Sequence, residues 1–114
     1  MSDKLEIRKK DGSRPGQRVL HLMGALSLQT VPDFLKVVRA ETSPVLIVDF
    51  SDIIIVDSAG VGALLQTMAS MNKASRKLGL AGLGQRTIAV LEITRVIGLF
   101  QVFPTLAEAE EKLA

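Results

Sequence analysis

Apolar and polar residues alternate through residues 3–10, with Leu5 and Ile7 on one side, the period-two pattern of a strand with one buried face. Asp11 to Gly16 carries Asp-Gly, Ser, Pro and Gly and predicts a turn. Alternation resumes over residues 17–23, with Leu20 and Leu22 on one face and Val19, His21 and Met23 on the other. The two strands predict an antiparallel hairpin at a sheet edge, the second strand ending at Gly24. The spacing then changes to that of a helix. Thr30 is a candidate N-cap, Pro32 suits the first turn, and Phe34, Leu35, Val37 and Val38 form a stripe that closes near Thr42, before Pro44.

Val45–Phe50 is a continuous apolar run of strand length, as expected for a central strand covered on both faces. A second run, Ile53–Val56, leads into Asp57-Ser58-Ala59-Gly60 and a long helix to about Lys77, with Val61, Leu64, Leu65, Met68 and Met71 at helical spacing. Lys73, Arg76 and Lys77 load its C-terminal end, and Gly79 stops it. A short strand at Leu80–Leu83, a turn at Gly84, a helix over Thr87–Ile97, a strand at Phe100–Phe103 and a last helix opened by Pro104 complete the chain. The order β-β-α-β-α-β-α-β-α predicts an α/β fold: a mixed, mostly parallel sheet with an N-terminal antiparallel hairpin and about four helices, in one domain over residues 1–114.

Composition narrows the chemistry. All four aromatic residues are Phe, so the core is aliphatic. The absence of cysteine removes disulfides, thiolate metal sites and a Cys nucleophile. The charged N-terminus lacks the apolar segment of a signal peptide, and no apolar run is long enough to span a bilayer, so a cytoplasmic protein without membrane insertion is expected. The net charge of +2 is spread over dilute basic residues near the start and Glu108, Glu110 and Glu111 near the end. With no aromatics among the bases, direct nucleic-acid binding is not supported. His21, the sole histidine, lies on a strand with no obvious acid beside it. A His-based metal site or Ser-His-Asp triad is therefore not expected, nor is any cofactor. Asp49 points to one face of a strand and Asp57 lies beyond a loop, so no carboxylate cluster is expected of Asp49, Asp52 and Asp57. Gly79–Gly84 matches neither the dinucleotide nor the P-loop spacing and suits turns.

One segment stands out. Val56-Asp57-Ser58-Ala59-Gly60-Val61-Gly62 joins a strand to a helix, and open α/β sheets place their working sites in such loops. Ser58 falls at or near the N-cap, where unpaired N–H groups and a partial positive charge favour a phosphate. Ala59, Gly60 and Gly62 allow a second molecule close to the backbone. Capping and packing account for the same residue types, and both readings stand at this level, although Val61 three residues on makes no capping box with Ser58.

Asp57-Ser58-Ala59-Gly60-Val61-Gly62, following Phe50–Val56, resembles the signature of the bacterial anti-sigma-factor antagonists of the STAS type. Those proteins carry Asp-Ser-Ser/Ala-Gly-hydrophobic-Gly after an apolar strand and loop. The strand ending in Gly24, the strand Val45–Phe50 and the segment Arg86–Phe103 extend the likeness over nearly the whole chain. The resemblance implies a single non-catalytic STAS domain, monomeric or weakly dimeric, with Ser58 as phosphoacceptor. It implies that the unphosphorylated form binds an anti-sigma factor that is itself a GHKL-type serine kinase, that phosphorylation releases it, and that a phosphatase resets the switch. The implied partner surface is Asp57, Ser58, Ala59, Gly60, Val61 and Gly62, with Ser27. Many members have Gly-Glu-Leu-Asp where this chain has Gly24-Ala25-Leu26-Ser27, so both acidic positions are neutral here; Ser27 also suits a cap on the following helix. The alternative is a STAS accessory subunit of an ABC-type phospholipid-trafficking transporter, with the same loop against an ATPase subunit. A small hydrolase, a third class, lacks a visible base.

Overall fold

A computed structural model describes residues 3–113. Five strands form one sheet in the order β1-β2-β3-β4-β5: β1 Leu5–Asp11, β2 Gln17–Leu26, β3 Val45–Val56, β4 Lys77–Ala81 and β5 Gln101–Phe103. β1 and β2 pair antiparallel and the rest are parallel, so the edge hairpin and the mostly parallel sheet stand as expected. Four helices intervene: α1 Val31–Ala40, α2 Ser58–Lys73, α3 Gln85–Ile93 and α4 Leu106–Lys112, with one 3-10 turn at Ile97–Leu99.

Strand alternation sorts the core into two layers. Leu20 and Leu22 of β2 and Leu46, Val48 and Phe50 of β3 face α1, α2 and α3, where Phe34, Leu64 and Leu91 meet them. Val19, Val45, Ile47 and Ala81 face the other way and are closed by Ala109 and Leu113 of α4. Burying each such Leu or Ile contributes about 1.5–3 kcal/mol. α4 is only seven residues long and covers one end of its face. It is anchored by buried Gln17, whose amide donates to the carbonyls of Glu110 (2.6 Å) and Leu113 (3.2 Å).

Several boundaries differ from the sequence expectation. β2 does not end at Gly24 but runs to Leu26. Gly24 adopts φ +114°, and a Cβ there would lie 2.2 Å from the Lys4 carbonyl oxygen, so this glycine marks a bulge inside the strand. α2 stops at Lys73 and β4 begins at Lys77, well before the expected strand start at Leu80. The stop is a Schellman motif: Ser75 takes φ 57°, Ser75 N–H donates to Asn72 and Arg76 N–H to Met71. α3 ends the same way at Arg95 (φ 59°), with Val96 N–H donating to Leu91, rather than continuing to Ile97. Gly79 stops no helix. It lies within β4, where a Cβ would meet the Leu113 side chain at 2.2 Å. The cap of α4 is Thr105, not Pro104; its hydroxyl accepts from Glu108 N–H at 3.1 Å.

Candidate functional site

β3 is twelve residues long, but only Val45–Asp49 pair on both sides, with β2 and β4. From Asp52 onward β3 pairs with β2 alone, and past the Leu5–Gly24 pair, where β1 begins, the sheet narrows to a two-stranded arm ending at Leu26 and Val56. The arm delivers two loops to the same place: Ser27–Thr30, which enters α1, and Asp57, which enters α2.

Asp57, rather than Ser58, is the N-cap of α2. One carboxylate oxygen accepts from Gly60 N–H at 2.9 Å and the other from Leu28 N–H at 3.0 Å. Asp57 thus satisfies a helix-terminal donor and ties the two loops together. That division of labour frees its neighbour. Ser58 is the first helical residue and exposed, and its hydroxyl has no partner among the described residues. The Ser58 and Ala59 N–H groups precede the first intrahelical bond and carry the positive end of a sixteen-residue helix.

The small residues play separate parts. Gly60 is buried, and a Cβ on it would lie 2.3 Å from the Leu26 carbonyl oxygen, so it lets the helix start sit against β2. Gly62 is exposed, and a Cβ there would meet nothing within 4 Å. Val61 is buried in the core, and Ala59 and Asp57 are half-buried. Ser58 and Gly62, four apart, share one helix face. Leu28 (74% exposed), on the loop that Asp57 holds, and Ile54 (68%) and Ile55 (45%), on the strand that leads into this helix, are three of the five large apolar side chains left in water among the described residues. These three were not singled out from the sequence. The Ile53–Val56 run had the pattern of ordinary strand core, and only the narrowing of the sheet exposes its middle.

Ser27 lies apart from that surface. It is buried; its N–H donates to Thr30 Oγ1 (2.9 Å), its carbonyl accepts from Thr30 and Val31, and its own hydroxyl has no partner. Its side chain does not cap α1. Thr30, expected as a side-chain cap, instead donates its hydroxyl to the Ala25 carbonyl at 2.8 Å. Ala25 is buried as well, so an apolar residue there follows from packing.

His21 corrects the sequence reading outright. Its Nδ1 is 2.9 Å from Asp49 and its Nε2 2.7 Å from Asp52. Residues 49 and 52 differ in parity and in a regular strand would face opposite ways. The register slips between His21/Met23 and Asp49/Asp52, and the extra β3 residue brings both carboxylates to one ring. Asp57 is not part of the cluster. The bond to Asp49 raises the His21 pKa above 6.5; partial burial opposes this and Asp52 adds to it. Burial pushes the Asp49 pKa upward, but the Ser51 N–H (3.0 Å) and His21 outweigh it and hold the carboxyl below its ordinary value. Among the described residues no group of His, Cys, Asp or Glu could hold a metal ion, and no helix is long and apolar enough to cross a membrane.

Comparison with known proteins agrees with this geometry. An anti-sigma-B factor antagonist of Listeria monocytogenes is 24% identical over 102 residues, covering 90% of each chain. The crystal structure of an anti-sigma factor antagonist from Mycobacterium paratuberculosis superimposes with a TM-score of 0.85 at 22% identity, over 96% of this chain and 94% of that one. The cell-fate determinant SpoIIAA of Bacillus, in its phosphorylated form, superimposes with a TM-score of 0.74 at 18% identity, over 96% of this chain and 100% of that one. The STAS domain profile matches residues 5–109, and the chain accordingly belongs to the STAS domain family.

Proposed function

We propose that this chain is an anti-sigma-factor antagonist that changes partners through phosphorylation of Ser58. The observation that carries the reading is an exposed hydroxyl without a partner among the described residues, on the first residue of a long helix whose incoming strand and neighbouring loop leave Ile54, Ile55 and Leu28 exposed. Its likeness to an anti-sigma-B factor antagonist and to SpoIIAA, a protein known in a phosphorylated form, supports the same role.

In this reading the unphosphorylated surface docks on a GHKL-type serine-kinase anti-sigma factor in the cytoplasm, and the sigma factor goes free. Ser58 Oγ then attacks the γ-phosphorus of the kinase's ATP; ADP leaves and the hydroxyl proton departs. The proton passes to a base on the kinase, while both Asp57 oxygens hold backbone N–H groups. The product carries about −1.5 to −2 charges. In isolation the helix N-terminus tolerates them. Against a partner, with Leu28, Ile54 and Ile55 excluding water, the dianion must be desolvated; a loss of about 3 kcal/mol weakens the complex roughly a hundredfold. A phosphatase restores the hydroxyl. The antagonist itself needs no catalytic group.

The test is incubation with a serine-kinase anti-sigma factor from the same genome and ATP, followed by intact-mass measurement. One phosphate is expected on the wild type and none on Ser58→Ala. Equal phosphorylation of Ser58→Ala would show that the acceptor is elsewhere. The neutral Ala25 and Ser27 favour a second reading, an accessory subunit whose loop rests permanently on a transporter ATPase. Co-purification with an ATPase, and no phosphate under any condition, would replace the first reading by the second.

A further inference from the structure

Between the C-terminal halves of α1 and α2 lies a cleft of about 210 Å³ that the Ser58 surface does not use. Its lining includes the apolar Leu35, Val38 and Met71 and two guanidinium groups, Arg39 from α1 and Arg76 from the turn after α2. Arg76 is only partly spent. Its Nε donates to the Ser43 carbonyl at 2.7 Å, while its Nη2 is shielded from water and has no acceptor. A shielded guanidinium nitrogen without a partner costs more than a neutral donor would, and such a group calls for an acceptor.

The remaining polar lining fixes the sign of that acceptor. Glu41 is the one carboxylate on the cleft, and it is held by Arg18 Nε at 2.9 Å. The Thr67 hydroxyl is committed to the Ala63 carbonyl at 2.8 Å, and Gln66 and Ser70 are exposed at the rim. The unmatched charge is therefore cationic. The cleft has room for a small molecule.

We propose that this cleft binds a small amphiphilic anion, a carboxylate on a short aliphatic chain. The carboxylate is met by Arg76 and Arg39 after a rotation of the Arg76 side chain, and the chain lies on Leu35, Val38 and Met71. Ser70 stands twelve residues beyond Ser58, about 18 Å along α2, so an occupant firms the α1–α2 junction without covering the hydroxyl. The site does not depend on the antagonist reading.

Sodium hexanoate is the probe, titrated into the full chain and followed by amide and Met methyl NMR shifts and by Tm. Saturable shifts are expected at Arg76 Nε, Thr67 and the Met71 methyl, with a dissociation constant on the order of 1 mM and a rise in Tm on saturation. Hexanol and inorganic phosphate should each bind at least tenfold more weakly. Arg76→Lys, which keeps the charge but loses the planar fork, should weaken hexanoate about tenfold. Ser70→Phe, at an exposed rim position, should abolish binding while Arg76 and its Ser43 bond remain. Absence of saturable shifts, hexanol or phosphate binding as tightly as hexanoate, or unchanged binding in a folded Ser70→Phe variant would each overturn the proposal.

Discussion

The two halves of β3 are made of similar residues and meet opposite fates. Val45–Phe50 is buried throughout, with Val45–Asp49 held between β2 and β4 and helices on both faces. Ser51–Val56 keeps one strand neighbour, and in it only Val56 is fully buried, while Ile54 and Ile55 stand in water. The first half is spent on stability. The second pairs with β2 alone, leaves Ile54 and Ile55 outside the core, and ends at the helix that presents Ser58. In the proposed function, these exposed apolar side chains are what the partner would cover.

The largest effect separates those halves directly. Ile47 is fully buried, and Ile47→Ala should destabilise the chain by about 2–5 kcal/mol, lowering the urea midpoint at constant slope. Ile54 is 68% exposed, and Ile54→Ala should cost less than about 0.5 kcal/mol. In a pull-down with the kinase partner the ranking should invert: Ile54→Ser should weaken capture and leave the urea midpoint in place. Equal stability losses at the two positions would erase the distinction between core and arm.

His21 sits where one half passes into the other, and it makes the second-largest effect conditional on pH. His21→Ala leaves the 8%-exposed Asp49 carboxylate with the Ser51 N–H but without its ring partner, a loss of about 1–3 kcal/mol. The native ring has a pKa raised above 6.5, so its contribution is complete below about pH 6.5 and is lost as pH rises through the folded value. Asp49 behaves oppositely: its pKa lies below 3.8, so its contribution is complete above about pH 3.8 and fades as pH falls through the depressed value. Urea midpoints from pH 3 to 9 should show wild type and His21→Ala diverging most between these limits and converging on the alkaline side. A constant difference across that range would mean that the ring acts by packing and not by charge.

This cluster also marks where the sequence stops being legible. Period-two and period-3.6 patterns gave the element order, the edge hairpin and the loop carrying Ser58, because those patterns report burial directly. Helix ends were overshot at Lys77 and Ile97 because the terminating residues, Ser75 and Arg95, are left-handed without being glycine. No local signal distinguishes them from helix interior. The His21–Asp49–Asp52 contact depends on a one-residue slip between two strands, which no pattern along either strand reports. Asp57 was in view, but its second bond, to Leu28, joins loops 29 residues apart. Exposure of Ile54 and Ile55 follows from β4 ending short of them, a fact of sheet width and not of their own pattern.

The Schellman turn gives a third, smaller effect. A non-glycine residue in the left-handed region costs about 1–2 kcal/mol, and Ser75→Gly should recover up to about 1 kcal/mol after glycine's greater freedom in the unfolded chain is subtracted. The gain should appear in the urea midpoint with no change in partner capture, since Ser75 closes α2 at the far end from Ser58. A loss of capture would extend the docking surface along the whole helix.

The smallest effect bears on the site itself. Gly62 lies inside α2, where glycine costs about 0.5–1 kcal/mol relative to alanine, and nothing in the chain would touch a methyl group there. Gly60, two residues earlier, has a steric reason in the Leu26 carbonyl; Gly62 has none within the protein. Gly62→Ala should therefore raise stability by about 0.5–1 kcal/mol and leave the sheet untouched. If the Ser58 face docks closely on a partner, the same methyl should reduce capture, and the variant should be more stable and less functional together. A gain in stability with undiminished capture would move the interface off this helix face and onto the arm of Leu28, Ile54 and Ile55 alone.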